Sequence, residues 1–229
     1  MVEKRPLAEG VSISYNRLVI SAVIVDYGGG NLASVAKALA YSGLLPKISQ
    51  NPSDIAQADL LILPGQAAIG SALSTLTSRQ LVSPIKDHFF SKKPLLGICL
   101  GFQLLFESSE EDGGHLGLGL LAGTVRRFCS LSQKVPHMGW NRLHVTDKKP
   151  GLFEGIAHPL YAYFANSYYV DTPSVDSVCT TTDYGHSFVS SIQTSHVFAT
   201  QFHPEKSGPA GLRLLQNFIK EVSCKNTFL

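Results

Sequence analysis

The run Gly97-Ile98-Cys99-Leu100-Gly101 sets a cysteine between two glycines, after an apolar stretch that begins at Pro94 and before Phe102-Gln103-Leu104-Leu105-Phe106. Gly-x-Cys-x-Gly at the junction of an expected strand and an expected amphipathic helix has the form of a nucleophile elbow. There the flanking glycines let the chain turn sharply and expose the central side chain. A thiol suits the position, because free amides and the positive end of the helix dipole favour its thiolate. The ordinary fate of a free cysteine is burial in a core, and Cys129, Cys179 and Cys224, which lack this setting, read as structural. A nucleophile needs a base, and the base needs an orienting partner. Phe202-His203-Pro204-Glu205 offers both, since alternate residues of an extended segment share a face. Glu205 then holds one imidazole nitrogen and leaves the other for the thiol. A lone His-x-Glu is usually a solvated pair; beside a cysteine elbow it makes a Cys99–His203–Glu205 relay suited to acyl transfer. Pro204 marks a strand end rather than a central stretch.

The elements that must position these groups are legible in the spacing of apolar residues. Leu18–Val25 reads as a buried strand of eight residues, far short of the roughly 20 that span a bilayer. Lys4 and Arg5 before it imitate a signal peptide, but Glu3, Glu9 and the lack of a cleavage site argue against one. Leu32, Val35, Ala36, Leu39 and Ala40 mark an amphipathic helix closed by Gly43. Strands at 59–63 and 93–98 and a helix at 81–90 continue an alternation that calls for a parallel sheet covered by helices. The second half is mostly β-like: 125–128, 140–145, 160–170, 175–182, 188–193 and 196–202, with turns at 183–185 and 194–195. Leu212, Leu215, Phe218 and Ile219 mark a last helix. The expected architecture is one three-layer α/β domain over 18–223, its mixed, mostly parallel sheet carrying antiparallel additions and helices on both faces. Residues 1–17 read as a loose extension and 224–229 as a tail.

The charge balance of 19 basic against 17 acidic residues makes no case for a nucleic-acid partner. Arg126-Arg127 and Lys148-Lys149 are explained by a solvated face. Four cysteines without metal-ligand or disulfide spacing fit a reducing, cytoplasmic compartment. Gly28-Gly29-Gly30-Asn31-Leu32-Ala33 satisfies a dinucleotide pattern, yet about 20 residues on the chain reads Ser49-Gln50-Asn51, with no acid to hold a ribose.

Gly97–Gln103 and Gln201–Glu205 resemble the paired signatures of class I glutamine amidotransferases. Asp26–Leu32, Leu63-Pro64-Gly65, Val135–Asn141, Asn166–Tyr169 and Lys206-Ser207-Gly208 are similar to the branch of that family that serves histidine biosynthesis. The likeness runs from about Leu18 to Phe218. It implies that the Cys99 thiolate attacks the carboxamide of glutamine, while His203 and Glu205 handle the protons. Backbone amides of Leu100, Gly65 and Gln66 are implied to form the oxyanion hole. Gln103, which lies one helical turn beyond Cys99 and within reach of a polar substrate, is implied to hold the glutamine. Glu111 is implied to bind its α-amino group, and Ala67, Ser167 and Tyr168 to line the same site. The resemblance implies no metal and no organic cofactor. The ammonia is implied to pass to a (β/α)8-barrel cyclase subunit that makes imidazole glycerol phosphate and an aminoimidazole carboxamide ribotide. A chain of this length is expected to leave no room for that synthase domain. Asn31, Trp140 and Lys206 are the implied contacts with the partner. His137 and the lone Trp140 have plain readings as well, a hydrogen-bonded core imidazole and a core indole.

Two departures from the family pattern stand out. Gln66-Ala67 replaces Val-Gly after Leu63-Pro64-Gly65, and Asn166 replaces the usual His before the Ser-Tyr pair. The family is understood to flip a peptide in the first of these segments. Rival functions on the same residues are a glutaminase serving another acceptor, a thiol peptidase or γ-glutamyl hydrolase, and a non-catalytic regulatory subunit.

Overall fold

The structure, a computed structural model, describes residues 20–129, 133–146 and 151–226. The extension at 1–17 and Lys148-Lys149 lie outside the described residues. In chain order the elements are β1 (Ala22–Val25), α1 (Leu32–Tyr41), β2 (Lys47–Ser49), α2 (Pro52–Gln57), β3 (Leu60–Leu63), α3 (Ile69–Ser78), α4 (Val82–Phe90), β4 (Leu95–Ile98) and α5 (Leu100–Gln103). The second half runs β5 (Phe106–Ser109), β6 (His115–Leu116), β7 (Leu121–Arg127), β8 (His137–Val145), β9 (Leu160–Asn166), β10 (Tyr168–Asp171), β11 (Val178–Asp183), β12 (Ser187–Gln193), β13 (Val197–Thr200) and α6 (Gly208–Asn226).

Strands β1, β3, β4 and β13 are buried at every position, as continuous apolar runs covered on both faces must be. They lie side by side and parallel in the order β2-β1-β3-β4-β13; from β13 the sheet continues antiparallel through β12 and β10 to β7, which pairs parallel with β5, and β6 closes the edge antiparallel. Among the described residues five strand pairs are parallel and seven antiparallel, so the parallel part is a block rather than the bulk. Two cores flank the sheet. One buries Val35, Leu39, Leu214, Leu215 and Phe218 from α1 and α6; the other buries Ile69, Ala72, Leu76 and Ile85 from α3 and α4. The β8–β9 ribbon joins through β11 and returns to the parallel block by a bridge between Tyr163 and His203.

Helix α1 starts on an Asn31 cap, whose Oδ1 accepts from Ser34 N, and stops before Gly43 at φ +96°, the left-handed backbone that favours glycine. Elsewhere the outcome differs from expectation. Helix α2 is six residues long, too short for a periodicity reading, and α3 carries Ile69, Ala72, Leu73 and Leu76 at helical spacing, a stripe absent from the expected elements. The helix after Cys99 is a single turn. Its continuation is pulled into β5, because Leu118, Leu120 and Leu121 donate backbone hydrogen bonds to Leu104 and Leu105 at 2.8–2.9 Å. Glu107 and Glu110 sit along and just beyond β5, where they accept from Gly123 N and Arg127 N. Helix α6 continues through Asn226, into the segment expected as a tail. Among the described residues no helix is long and apolar enough to cross a membrane.

Candidate active site

Cys99 sits where β4 passes into α5, at φ +53° and ψ −104°. A non-glycine residue held there costs about 1–3 kcal/mol and persists only under strong restraint. The restraint is visible: Cys99 N donates to Thr200 O at 2.7 Å, and Cys99 O accepts from Phe102 N and Gln103 N at 3.1 and 3.2 Å. The flanking glycines act differently from the expectation, since the positive φ belongs to the cysteine itself. A Cβ at Gly101 would collide with the Leu63 carbonyl, and one at Gly97 would come 3.0 Å from Gly101 O. They are needed for close packing of the elbow on its neighbouring strand. With one turn of helix behind it the dipole is small, and the polar partners of the sulfur are side chains.

His203 follows β13, the parallel neighbour of β4, so base and nucleophile emerge from adjacent strand ends. Its Nδ1 lies 2.9 Å from Glu205 Oε1, and both side chains are 1% exposed. Pro204–Lys206 form a 3-10 turn, so Glu205 reaches the imidazole by that turn and not by extended alternation. The imidazole is fixed through its backbone: His203 N donates to Tyr163 O at 2.9 Å, and Ser207 Oγ donates to His203 O at 2.6 Å. Ser207 Oγ also accepts from Tyr163 N at 3.0 Å, a clamp the sequence reading did not single out. Burial acts most strongly on His203 and disfavours its charge. The Cys99 sulfur and then the Glu205 carboxylate oppose it and win, and the pKa is pushed up to about 10. The imidazolium therefore favours the folded state fully below the ordinary value of 6.5, and that contribution is lost as pH rises through about 10. Cys99→Ala removes the largest raising influence, so the His203 ring signal followed by NMR should titrate at lower pH in that variant. An unmoved midpoint would contradict the Cys99–His203 coupling.

The strand end after β3 supplies the opposite wall. Leu100 is the first residue of α5, and its N–H has no partner within the helix. Gly65 packs so closely on Leu100 N that a side chain at 65 would collide with it. Gln66 and Ala67 follow, exposed. Among the described residues the non-glycine positions with positive φ are Gln80, Lys92, Cys99 and Asp112, so Ala67 holds an ordinary backbone here. The Gly28–Gly30 loop abuts this segment; a Cβ at Gly29 would lie 2.7 Å from the Ala67 methyl.

Of the residues expected around glutamine, Glu111 is half-buried, and its Oε2 accepts from Ile69 N at 3.0 Å, two residues beyond Ala67. Burial raises its pKa, partly offset by that hydrogen bond. Gln103 differs from the expectation of an amide reaching toward substrate. It is buried, and its Nε2 donates to Tyr168 O at 3.1 Å and to Gln201 Oε1 at 2.9 Å. Ser167 O accepts from Phe128 N, so Ser167 and Tyr168 both use backbone carbonyls to tie β10 to its surroundings. Asn166 is buried and donates from Nδ2 to the same Tyr168 O at 2.9 Å. Gln201, absent from the sequence-based site, is fully buried and donates from Nε2 to Cys99 Sγ at 3.7 Å. The Tyr27 hydroxyl is buried without a hydrogen-bond partner, its pKa pushed up by burial first and by Cys99 second.

The expected partner contacts divide. Trp140 is 58% exposed, edge-on to Tyr163 with centroids 6.3 Å apart, and Lys206 Nζ stands 5.8 Å from the same ring. Because Tyr163 bridges His203, this exposed cluster abuts the base. Asn31 lies on the Gly28–Gly30 side as the α1 cap. His137 keeps its plain reading: it is stacked between Tyr184 and Phe164 at 3.9 and 4.7 Å, and burial lowers its pKa to about 4. Among the described residues no group of three His, Cys, Asp or Glu side chains is placed to hold a metal ion.

Residues 23–222 match the family model for glutamine amidotransferase class-I. The chain is 45% identical over 202 residues to the imidazole glycerol phosphate synthase subunit HisH of Syntrophotalea carbinolica, covering 86% of this chain and 98% of that one. It is 48% identical over 201 residues to the same subunit of Aquifex aeolicus, covering 87% and 96%. Among solved structures, PurLQS from Thermotoga maritima superposes with a TM-score of 0.67 at 19% identity, over 89% of this chain and 99% of that one.

Proposed function

The chain belongs to the class I glutamine amidotransferase family, and from that premise we propose that it hydrolyses glutamine at Cys99 and delivers the ammonia to a synthase partner in histidine biosynthesis. The observation that carries the reading is the convergence of Cys99, His203 and Glu205 at adjacent ends of β4 and β13, with the Gly65–Leu100 contact beside them. The Cys99 thiolate adds to the δ-carbon of the glutamine carboxamide. The oxyanion is met by Leu100 N–H and by an amide of the Gly65–Gln66 segment. Imidazolium His203 protonates the departing amine, ammonia leaves, and a γ-glutamyl thioester remains on sulfur. His203, now neutral and steadied by Glu205, takes a proton from water, whose attack releases glutamate and restores the thiolate. No step calls on a metal or an organic cofactor.

Ammonia set free in water would be protonated, so it passes directly to a second site. The relatives that bear the synthase-subunit name support a complex with a cyclase. We assign the cyclase subunit a (β/α)8 barrel and its docking face to Trp140, Lys206 and Asn31. That face touches both walls of the site, through Tyr163 to His203 and through the Gly28–Gly30 loop to Ala67. A reducing, cytoplasmic setting fits the free thiols.

Ala67 bears on control by the partner. A peptide flip that needs a left-handed backbone at 67 costs an alanine roughly 1–2 kcal/mol. The isolated chain should therefore release glutamate very slowly and be strongly stimulated by the ligand-loaded partner. Ala67→Gly should raise the basal rate by about 5–30-fold, the same energy read as a rate. Glutamate release with and without partner is the assay, and a fully active isolated chain would contradict the reading.

A further inference from the structure

We propose that Gln201 is a positioning residue for the nucleophile, the last member of a buried amide relay that fixes the Cys99 sulfur opposite His203. The proposal rests on the reading of Cys99 as nucleophile. Parallel pairing of β13 with β4 sets Thr200 beside Ile98, so Gln201 stands next to Cys99 by register. Its Nε2 then lies 3.7 Å from Sγ, within hydrogen-bond range for sulfur.

The sense of this contact is dictated from the far end of the relay. The Tyr168 carbonyl can only accept, and it accepts from Gln103 Nε2 at 3.1 Å and from Asn166 Nδ2 at 2.9 Å. Gln103 Nε2 also donates to Gln201 Oε1 at 2.9 Å, so the Gln201 nitrogen must face the sulfur. Reversing either glutamine amide would set oxygen against oxygen, or leave a buried N–H unmatched. Gln201, Gln103 and Asn166 are all buried, which makes such a mismatch costly. An N–H donor gains strength when its acceptor becomes charged. The relay therefore favours the thiolate over the thiol and holds it on a fixed line. His203 Nε2 is buried and takes no other hydrogen bond, and the imidazole is coupled to the same sulfur. Asn166, one of this chain's departures from its family, closes the relay at the β9–β10 junction.

The test is the pH dependence of Cys99 alkylation by iodoacetamide in the full chain, resolved by peptide mass because Cys99 is buried while Cys129 and Cys224 are exposed and react as well. Gln201→Met keeps the length of the side chain and removes the donor. Its midpoint should rise by about one pH unit, the size of a lost hydrogen bond to a charged group. In complex with the synthase partner its kcat for glutamine should fall about tenfold with KM little changed. A midpoint unchanged from the parent chain would overturn the relay. If the Gln201→Met chain does not fold, Gln103→Met frees the Gln201 amide to rotate and should shift the midpoint in the same direction by less; no shift there is equally fatal. Protection of the parent Cys99 by glutamine in the complex reports separately on the nucleophile, so a failed relay and a failed active site give different results.

Discussion

Replacing Glu205 with glutamine should leave the fold intact and lower glutamine turnover by about 10²–10⁴-fold, mostly in kcat. The carboxylate does two things for His203. Oε1 accepts a hydrogen bond from Nδ1–H, which keeps that proton on Nδ1 and leaves Nε2 basic toward the sulfur, and the negative charge supports the imidazolium. A glutamine of the same shape has no good answer to either need. With its oxygen on Nδ1, its NH2 occupies the place of Oε2, which is buried and has no hydrogen-bond partner. With its NH2 on Nδ1, the imidazole must carry its proton on Nε2, where it cannot accept one from the thiol. Either arrangement also removes an influence that raises the His203 pKa, so the imidazolium should be lost at lower pH than in the parent chain. The check is steady-state turnover of glutamine by the complex, beside circular dichroism of the variant. Parent-like kcat would remove Glu205 from the mechanism.

The convergence of Cys99, His203 and Glu205 was legible because the sequence marks it with local constraints. Glycines at 97 and 101 are obligatory where Gly101 meets the Leu63 carbonyl and Gly97 meets Gly101, and the apolar runs of β3, β4 and β13 announce strands buried on both faces. How those constraints operate was less legible. The glycines serve close approach while Cys99 itself takes the positive φ, and Glu205 arrives by a 3-10 turn. Length of the elbow helix was misread, because Leu104 and Leu105 look helical by period yet give their carbonyls to residues 118–121. Side-chain relays were beyond reach for another reason. Gln201 and Gln103 are 98 positions apart, and only the parallel register of β13 on β4 brings them together. Ser207 is similar: its hydroxyl, bonded to the His203 carbonyl, meets Tyr163 N across 44 positions.

The proposed control by a partner has a route in the geometry. The base is tied through Tyr163 to the Trp140 and Lys206 surface, and the Gln66–Ala67 wall is tied to the Gly28–Gly30 loop. A protein docked across that face would touch the supports of both halves of the site while leaving Cys99 in its buried elbow.

The role of Cys99 as nucleophile is decided by Cys99→Ala. Alanine tolerates the same backbone strain no worse than cysteine, and the side chain lost is small and 7% exposed, so the variant should fold and assemble as the parent does. What it lacks is the only sulfur set between His203 and Gln201 among the described residues. The measurement is product formation by the reconstituted synthase, supplied in parallel with glutamine and with ammonium salts. Glutamine-dependent synthesis and glutamate release should fall to background, while ammonium-dependent synthesis continues at the parent rate. Normal glutamate release by the Cys99→Ala complex would contradict that role.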